Sequence, residues 1–322
     1  MELKPPSLPR LPWMTAADIV DAKLEDEVWL WDNVLPRDCL TILSAAPKTG
    51  KSTFLYPLLV SMLHGKPFLG LDCPIKCRIV LMALEERRTT VLRRLQWWGV
   101  KRQDPLFLHC GAWNLNKTAV SGLQEELIAY RADVLAIDTL GQAWAEALDD
   151  ENNNTGITRV LAPLLVMTRA LKLQTILVHH NRKAGGKHGL QVRGGSALFA
   201  DVDQALFLDR VKGKPRQRTL GFLGRFPETP EEDLEIHWEV GGAYVLASAA
   251  KTEDEETKQA QAHLQQHLGV VGKATLNELV TATGQPRTTV RRLLAGSKFT
   301  KIGAGSNKDP FRYCLVGPRR QK

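Results

Sequence analysis

The chain has 322 residues, of which 24% are charged and 43% hydrophobic, and it carries a formal net charge of +8 at pH 7. That length accommodates an α/β core with a small appended module, and no run approaches the roughly 18 apolar residues of a membrane-spanning helix. The opening Met1-Glu2-Leu3-Lys4-Pro5-Pro6 lacks the architecture of a secretory leader and the five cysteines are scattered, so a cytoplasmic protein without a membrane partner is expected.

Residues 1–25 are proline-rich and then weakly helical, which reads as an N-terminal arm. From 26 to 250, apolar runs of strand length alternate with helical patterns. The strands are expected at Leu40–Ser44, Arg78–Leu84, Leu106–Cys110, Val134–Asp138, Thr175–His179, Ala205–Asp209 and Arg218–Gly224. Helices are expected between them at Ser52–His64, Arg88–Trp98, Val120–Arg131 and Gly156–Leu171. Near-continuous Val/Ile/Leu runs suit a parallel sheet covered on both faces, so the fold class is a doubly wound, mostly parallel α/β domain. Glu235–Val240 and Ala243–Ala247 read as a terminal hairpin.

The first of these strands runs into Ala45-Ala46-Pro47-Lys48-Thr49-Gly50-Lys51-Ser52, a phosphate-binding loop followed by a helix. Such a loop turns successive backbone N–H groups and a helix N-terminus toward a phosphate. Gly50 permits close backbone approach, Lys51 would reach the β- and γ-phosphates, and Ser52 would hold Mg²⁺. Ala46, Pro47, Lys48, Thr49, Gly50, Lys51, Ser52 and Thr53 are therefore the candidate ATP contacts. Ala45 stands where the usual pattern has glycine.

Val134-Leu135-Ala136-Ile137-Asp138 ends a second strand in a carboxylate suited to the Mg²⁺ shell. Met82-Ala83-Leu84-Glu85-Glu86 ends a third in two adjacent acids, of which one can face the γ-phosphate; Glu85 is the candidate base, with Glu86 in support. Ile176–Lys183 ends a fourth in His179-His180-Asn181-Arg182-Lys183, and His180 is the candidate reporter of the γ-phosphate. The Gly-rich stretch 184–192, made basic by Lys183, Lys187 and Arg193, reads either as a nucleotide-controlled DNA loop or as a surface loop. Cys73 and Cys77 lie four apart without a second pair to complete a zinc site, and read as structural.

Residues 251–258 are polar and charge-dense and read as a linker. Beyond it, residues 259–322 hold eleven lysines and arginines against two acids, a net +9 that leaves −1 on everything before it. Helical patterns at Thr257–Leu268, Ala274–Thr283 and Arg287–Leu294, followed by strand candidates Phe299–Ile302 and Phe311–Leu315, give the order of a winged helix-turn-helix. The concentrated charge favours duplex or single-stranded DNA as partner, with Arg287, Arg291, Arg292, Lys298, Lys301 and Arg312 as contacts. A protein-binding winged helix with a basic face is the alternative.

From about Leu35 to Val245 the ordered motifs resemble the RepA-type branch of RecA-like ATPases, the hexameric replicative helicases of plasmids, phages and mobile elements. The resemblance rests on the phosphate loop, Ala83-Leu84-Glu85-Glu86, Ile137-Asp138-Thr139-Leu140, the acidic Asp149–Asn153, His179–Lys183 and Arg193-Gly194-Gly195-Ser196-Ala197-Leu198. It implies a RecA-like fold, a homo-oligomeric ring around single-stranded DNA, ATP hydrolysis between subunits, and an arginine donated by a neighbour. Arg193 matches that arginine by position and Arg225 competes with it. Ala45 and the basic tail depart from the minimal pattern. Three readings follow: a helicase motor, an ATP-switched DNA-binding regulator or loader, and a small-molecule kinase that leaves the basic tail without a use.

Overall fold

The computed structural model describes residues 13–24, 26–144, 154–180, 201–239, 244–249, 253–285, 287–295, 298–304 and 310–315. A nine-stranded sheet is its frame, in the spatial order β11-β10-β9-β8-β3-β7-β6-β4-β5. The labels denote β3 (Cys39–Ala45), β4 (Ile79–Ala83), β5 (Leu106–Cys110), β6 (Val134–Asp138), β7 (Gln174–His180), β8 (Gln204–Arg210), β9 (Gln217–Gly224), β10 (Leu234–Trp238) and β11 (Tyr244–Leu246). Pairing is parallel from β8 through β3, β7, β6 and β4 to β5, and antiparallel from β8 outward to β11. Strand β7 is inserted between β3 and β6, so the C-terminal ends of β3, β4, β6 and β7 open on one edge.

The central strands are buried on both faces, as their sequence demands: every residue of β3, β4 and β6 is buried. Helix α2 (Lys51–His64) packs one face through Phe54, Leu55, Leu58 and Leu59, beside α3 (Arg88–Trp97). Helices α4 (Lys117–Tyr130) and α5 (Asn154–Ala170) cover the other with Leu123, Leu127, Leu161 and Leu164. Cys73 and Cys77 sit in the first of these cores, their thiols pushed up to about 12 by burial. A short antiparallel pair, β1 (Trp29–Trp31) and β2 (Leu35–Pro36), precedes the sheet without a counterpart in the expected elements. Its Trp31 packs edge-on to Phe68 and donates its indole N–H to the Phe68 carbonyl. The preceding helix α1 (Ala16–Asp21) is closed by a Thr15–Asp18 capping box and buries none of its residues.

After β11 the helix Glu253–Val271 starts inside the segment read as a linker, so that the 251–258 stretch is in large part helical. Helices Leu276–Thr283 and Arg287–Leu294 follow, with a three-stranded sheet in the order β12-β14-β13 (Ala274–Thr275, Arg312–Leu315 and Phe299–Ile302). Leu264, Leu268, Leu279, Val290, Leu293 and Phe299 form its own small core. Among the described residues no helix is long and apolar enough to cross a membrane.

Candidate functional site

The site lies where the sheet topology puts it, at the C-terminal edge of β3, β4, β6 and β7. Ala45 is the last residue of β3, paired with His180 on one side and Leu208 on the other. It therefore has ordinary strand geometry, and the position tolerates a side chain. The left-handed conformations fall later, at Lys48 (φ 59°) and Gly50 (φ 110°). Gly50 is doubly constrained, because a Cβ there would stand 2.4 Å from the Tyr244 hydroxyl. Lys51 then opens α2.

A cavity of about 360 Å³ is lined by Lys48, Gly50, Lys51, Ser52, Thr53, Glu85, Glu86, Arg94, Asp138, Thr139 and His180. The Lys51 ammonium donates to the Ala45 carbonyl at 3.3 Å and to His180 Nδ1 at 2.8 Å. On its other side the His180 ring reaches Glu85 at 3.5 Å through Nε2. If Nδ1 accepts from the ammonium, Nε2 carries the proton and donates to the carboxylate. Three strand ends and the loop are thereby joined in one chain of contacts. Burial lowers the Lys51 pKa to about 8 against the opposing pull of Asp138 and Glu85.

Asp138 is 3% exposed. Burial raises its pKa to about 6, helped by Glu86 and Glu85 and opposed by the Ser52 hydrogen bond and Lys51. Its Oδ2 is a buried acceptor with no hydrogen-bond partner. A carboxylate with one oxygen spare, beside a serine hydroxyl at a helix N-terminus, is a hard oxygen donor set, so these residues fit a Mg²⁺ ion. Glu86 also borders the cavity but is held by Arg94, at 2.6 and 2.8 Å. That leaves Glu85, whose side chain is 48% exposed, as the acid facing His180.

Strand alternation separates the two histidines. His180 faces the phosphate loop, whereas His179 is 2% exposed and meets the Trp144 ring edge-on at 5.2 Å. Arg225 is not brought to this edge. It follows β9 at the opposite end of the sheet, where it pairs with Asp203 at 3.5 Å. Arg210, at the other end of β8, reaches the phosphate loop, and the six-residue rise between them is roughly 20 Å. Arg193, Lys183 and Lys187 lie outside the described residues, as does the acidic stretch Asp149–Asn153.

Three residues absent from the expected set grip the loop from behind. Arg210 donates to the Lys48 carbonyl, Arg218 Nε to the Thr49 carbonyl at 3.1 Å, and the Tyr244 hydroxyl to the same Thr49 carbonyl at 3.2 Å. Arg218, 7% exposed, also donates to the Pro215 and Gln217 carbonyls. A charge at an inward position of an amphipathic strand was the available sign, and it does not say which loop the charge meets.

A second, basic cleft of about 720 Å³ lies on the C-terminal module, with Arg287, Arg291, Lys301, Phe311 and Tyr313 in its walls. Lys301 Nζ sits 3.4 Å above the centre of the Phe311 ring, and Arg287 donates to the Asn277 side chain. Arg292, Lys298 and Arg312 are exposed but do not line this cleft.

A P-loop at the edge of a mostly parallel sheet, with a metal-competent aspartate on the next strand but one, defines a RecA-like nucleoside triphosphatase domain. The AAA domain family matches residues 4–186, and the chain belongs to that family. Its fold is similar to the crystal structure of a KaiC-like protein from the hyperthermophilic archaeon Pyrococcus horikoshii OT3, with a TM-score of 0.51 and 20% identity over 67% of this chain and 93% of that one. A search of the curated proteins finds no match to the chain. The family implies ATP as the nucleotide.

Proposed function

We propose that this chain is an ATP-hydrolysing DNA motor, acting as a ring of identical subunits in the manner of a RepA-type replicative helicase. The carrying observation is the chain of contacts Lys51–His180–Glu85 beside the spare oxygen of Asp138. In this reading the loop N–H groups and Lys51 bind the phosphates, and Glu85 takes the proton of the attacking water. Ser52 and Asp138 would hold Mg²⁺, which supplies charge neutralisation on the phosphate oxygens. His180 contacts both Lys51 and Glu85, so a γ-phosphate drawing Lys51 away would change the hydrogen bonding of Glu85 through the same ring. Either Arg193 or Arg225 serves a neighbouring subunit. Arg225 is more than half exposed at the edge remote from its own phosphate loop, a position suited to action in trans.

The C-terminal module is read as a winged helix-turn-helix that binds nucleic acid. The observation favouring this is the convergence of Arg287, Arg291 and Lys301 with the rings of Phe299, Phe311 and Tyr313 in one cleft. The rival is a regulator or loader that binds DNA through this module and uses ATP only as a switch. Two assays separate them: ATP turnover with and without single-stranded DNA, and opening of a forked duplex. Stimulated turnover with strand separation is the expected result. Turnover indifferent to single-stranded DNA, with forks left closed, would overturn the motor.

A further inference from the structure

Secondary structure sorts the cations of the C-terminal module into two sets. On the helix Arg287–Leu294 the spacing i, i+4, i+7 puts Arg287, Arg291 and Leu294 on one face, and all three line the basic cleft. On the sheet, Lys301 of β13 stands directly opposite Tyr313 of β14. The two therefore share a face, and Phe311, two residues before Tyr313, joins them in the cleft wall. Arg292 and Arg312 are each one residue out of step with these rows and do not line it. We infer that the cleft takes a single strand of DNA, with phosphates on the two arginines and a base on the Phe311 ring. The inference rests on the reading that this module binds nucleic acid, and it names the form that is bound.

Charge selects a polyanion and ring faces select the form. The described residues lining the cleft include three cations and no carboxylate, so the wall attracts anions without an internal counter-charge. Base pairs stacked in a duplex present only their edges to a protein, and an aromatic ring in a concave wall finds no free base face there. A single strand leaves those faces free, and rings set beside a cationic groove are how such a strand is held. Phe311 keeps 43% of its surface exposed, Tyr313 is half-buried, and Phe299, 7% exposed, lies beneath them. A volume of about 720 Å³ is that of a small-molecule pocket, a scale that suits individual nucleotides and not a double helix.

The contacts already made in the cleft fit this occupant. Arg287 is held by the Asn277 side chain, which fixes its guanidinium before a ligand arrives. Lys301 Nζ lies 3.4 Å above the Phe311 ring. Stacking of a base outweighs an exposed cation over the same ring, so an arriving base displaces the ammonium and frees it for the adjoining phosphate.

The test is fluorescence anisotropy of the full chain without ATP, at about 50 mM salt. The probes are a short labelled single strand, the same strand with its bases removed, and the blunt duplex. Wild type is expected to bind the intact strand at least about tenfold tighter than either of the others. Phe311→Leu keeps apolar bulk at an exposed position and removes the ring face. It should weaken the intact strand about tenfold and move the other two probes by less than about twofold. Arg291→Ala should weaken intact and abasic strands alike and lower the salt slope by about one. Because the proposed motor domain also holds a strand, the site is read separately: a strand carrying 5-iodouracil is cross-linked by light to wild type, with adducts expected at Phe311 or Tyr313. Duplex or abasic strand bound as tightly as the intact one, a Phe311→Leu loss that is absent or equal on all three probes, or adducts confined to other segments would overturn the single-strand assignment and leave nucleic-acid binding standing. A wild type that binds none of the three probes would overturn the nucleic-acid reading itself.

Discussion

Lys51→Met replaces the loop ammonium with an uncharged chain of similar length, and it should make the nucleotide-free protein more stable while ending ATP turnover. Lys51 is 6% exposed, and burial lowers its pKa from 10.5 to about 8. At 1.36 kcal/mol per unit, holding the charge there costs the fold up to about 3 kcal/mol. The unfolded chain keeps the proton to about 10.5 and the folded one only to about 8, so in that window the unfolded state binds more protons and stability rises with pH. Below pH 8 both states are protonated and the whole cost is present. The variant should therefore exceed wild type by up to about 3 kcal/mol at pH 7, about 5 °C in melting temperature for a chain of this size. The advantage should shrink from pH 8 toward 10.5. Thermal melts across pH 6.5–10.5 without nucleotide or Mg²⁺ measure it. A variant less stable than wild type at pH 7, or offset by the same amount at every pH, would refute the argument that Lys51 is held against its desolvation.

Asp138 carries the opposite sign: its pKa is raised to about 6, so its contribution to stability is present below about pH 4 and lost as pH rises through 6. Asp138→Asn should raise the Mg²⁺-free melting temperature at pH 7 and remove most of the Mg²⁺-dependent gain in ATP affinity, at least about tenfold, measured by titration with and without the metal. Tyr244→Phe deletes one donor to the Thr49 carbonyl; at about 1 kcal/mol for a hydrogen bond, ATP should bind about fivefold more weakly with the fold unchanged by circular dichroism.

The strand–loop–helix of β3 and α2 was legible because its signals are local: a continuous apolar run, then Gly50-Lys51-Ser52. Asp138 was legible for the same reason. The two histidines show where local signals stop. Sequence says that adjacent strand residues point apart, but the pairing of Ala45 with His180 decides which one meets Lys51. Glu85 and Glu86 are likewise equivalent until Arg94 engages Glu86. Arg210, Arg218 and Tyr244 carry no such local signal, since each acts on a segment far away in the chain and nothing in its own neighbourhood records which one. The β1–β2 pair leaves no signal in the sequence because its strands are too short to show alternation.

The late antiparallel strands do more than extend the sheet. The carbonyls of Lys48 and Thr49 are tied back to Arg210, Arg218 and Tyr244, and the Thr49 N–H closes a turn onto the Ala46 carbonyl at 3.2 Å, so the loop is held in shape from outside the phosphate cavity. Both arginines and the tyrosine belong to β8, β9 and β11, so the loop's shape depends on strands that follow it by more than 150 residues. Strand β9 has Arg218 at one end, on the Thr49 carbonyl, and Arg225 just beyond the other, at the remote edge of the sheet. If Arg225, rather than Arg193, completes a neighbour's site, this one hydrogen-bonded strand joins the phosphate loop of its own subunit to the arginine that serves the next. A shift of the arginine toward a bound phosphate would then pull on Thr49 through a strand that does not stretch, which is a direct physical route for coupling hydrolysis around a ring.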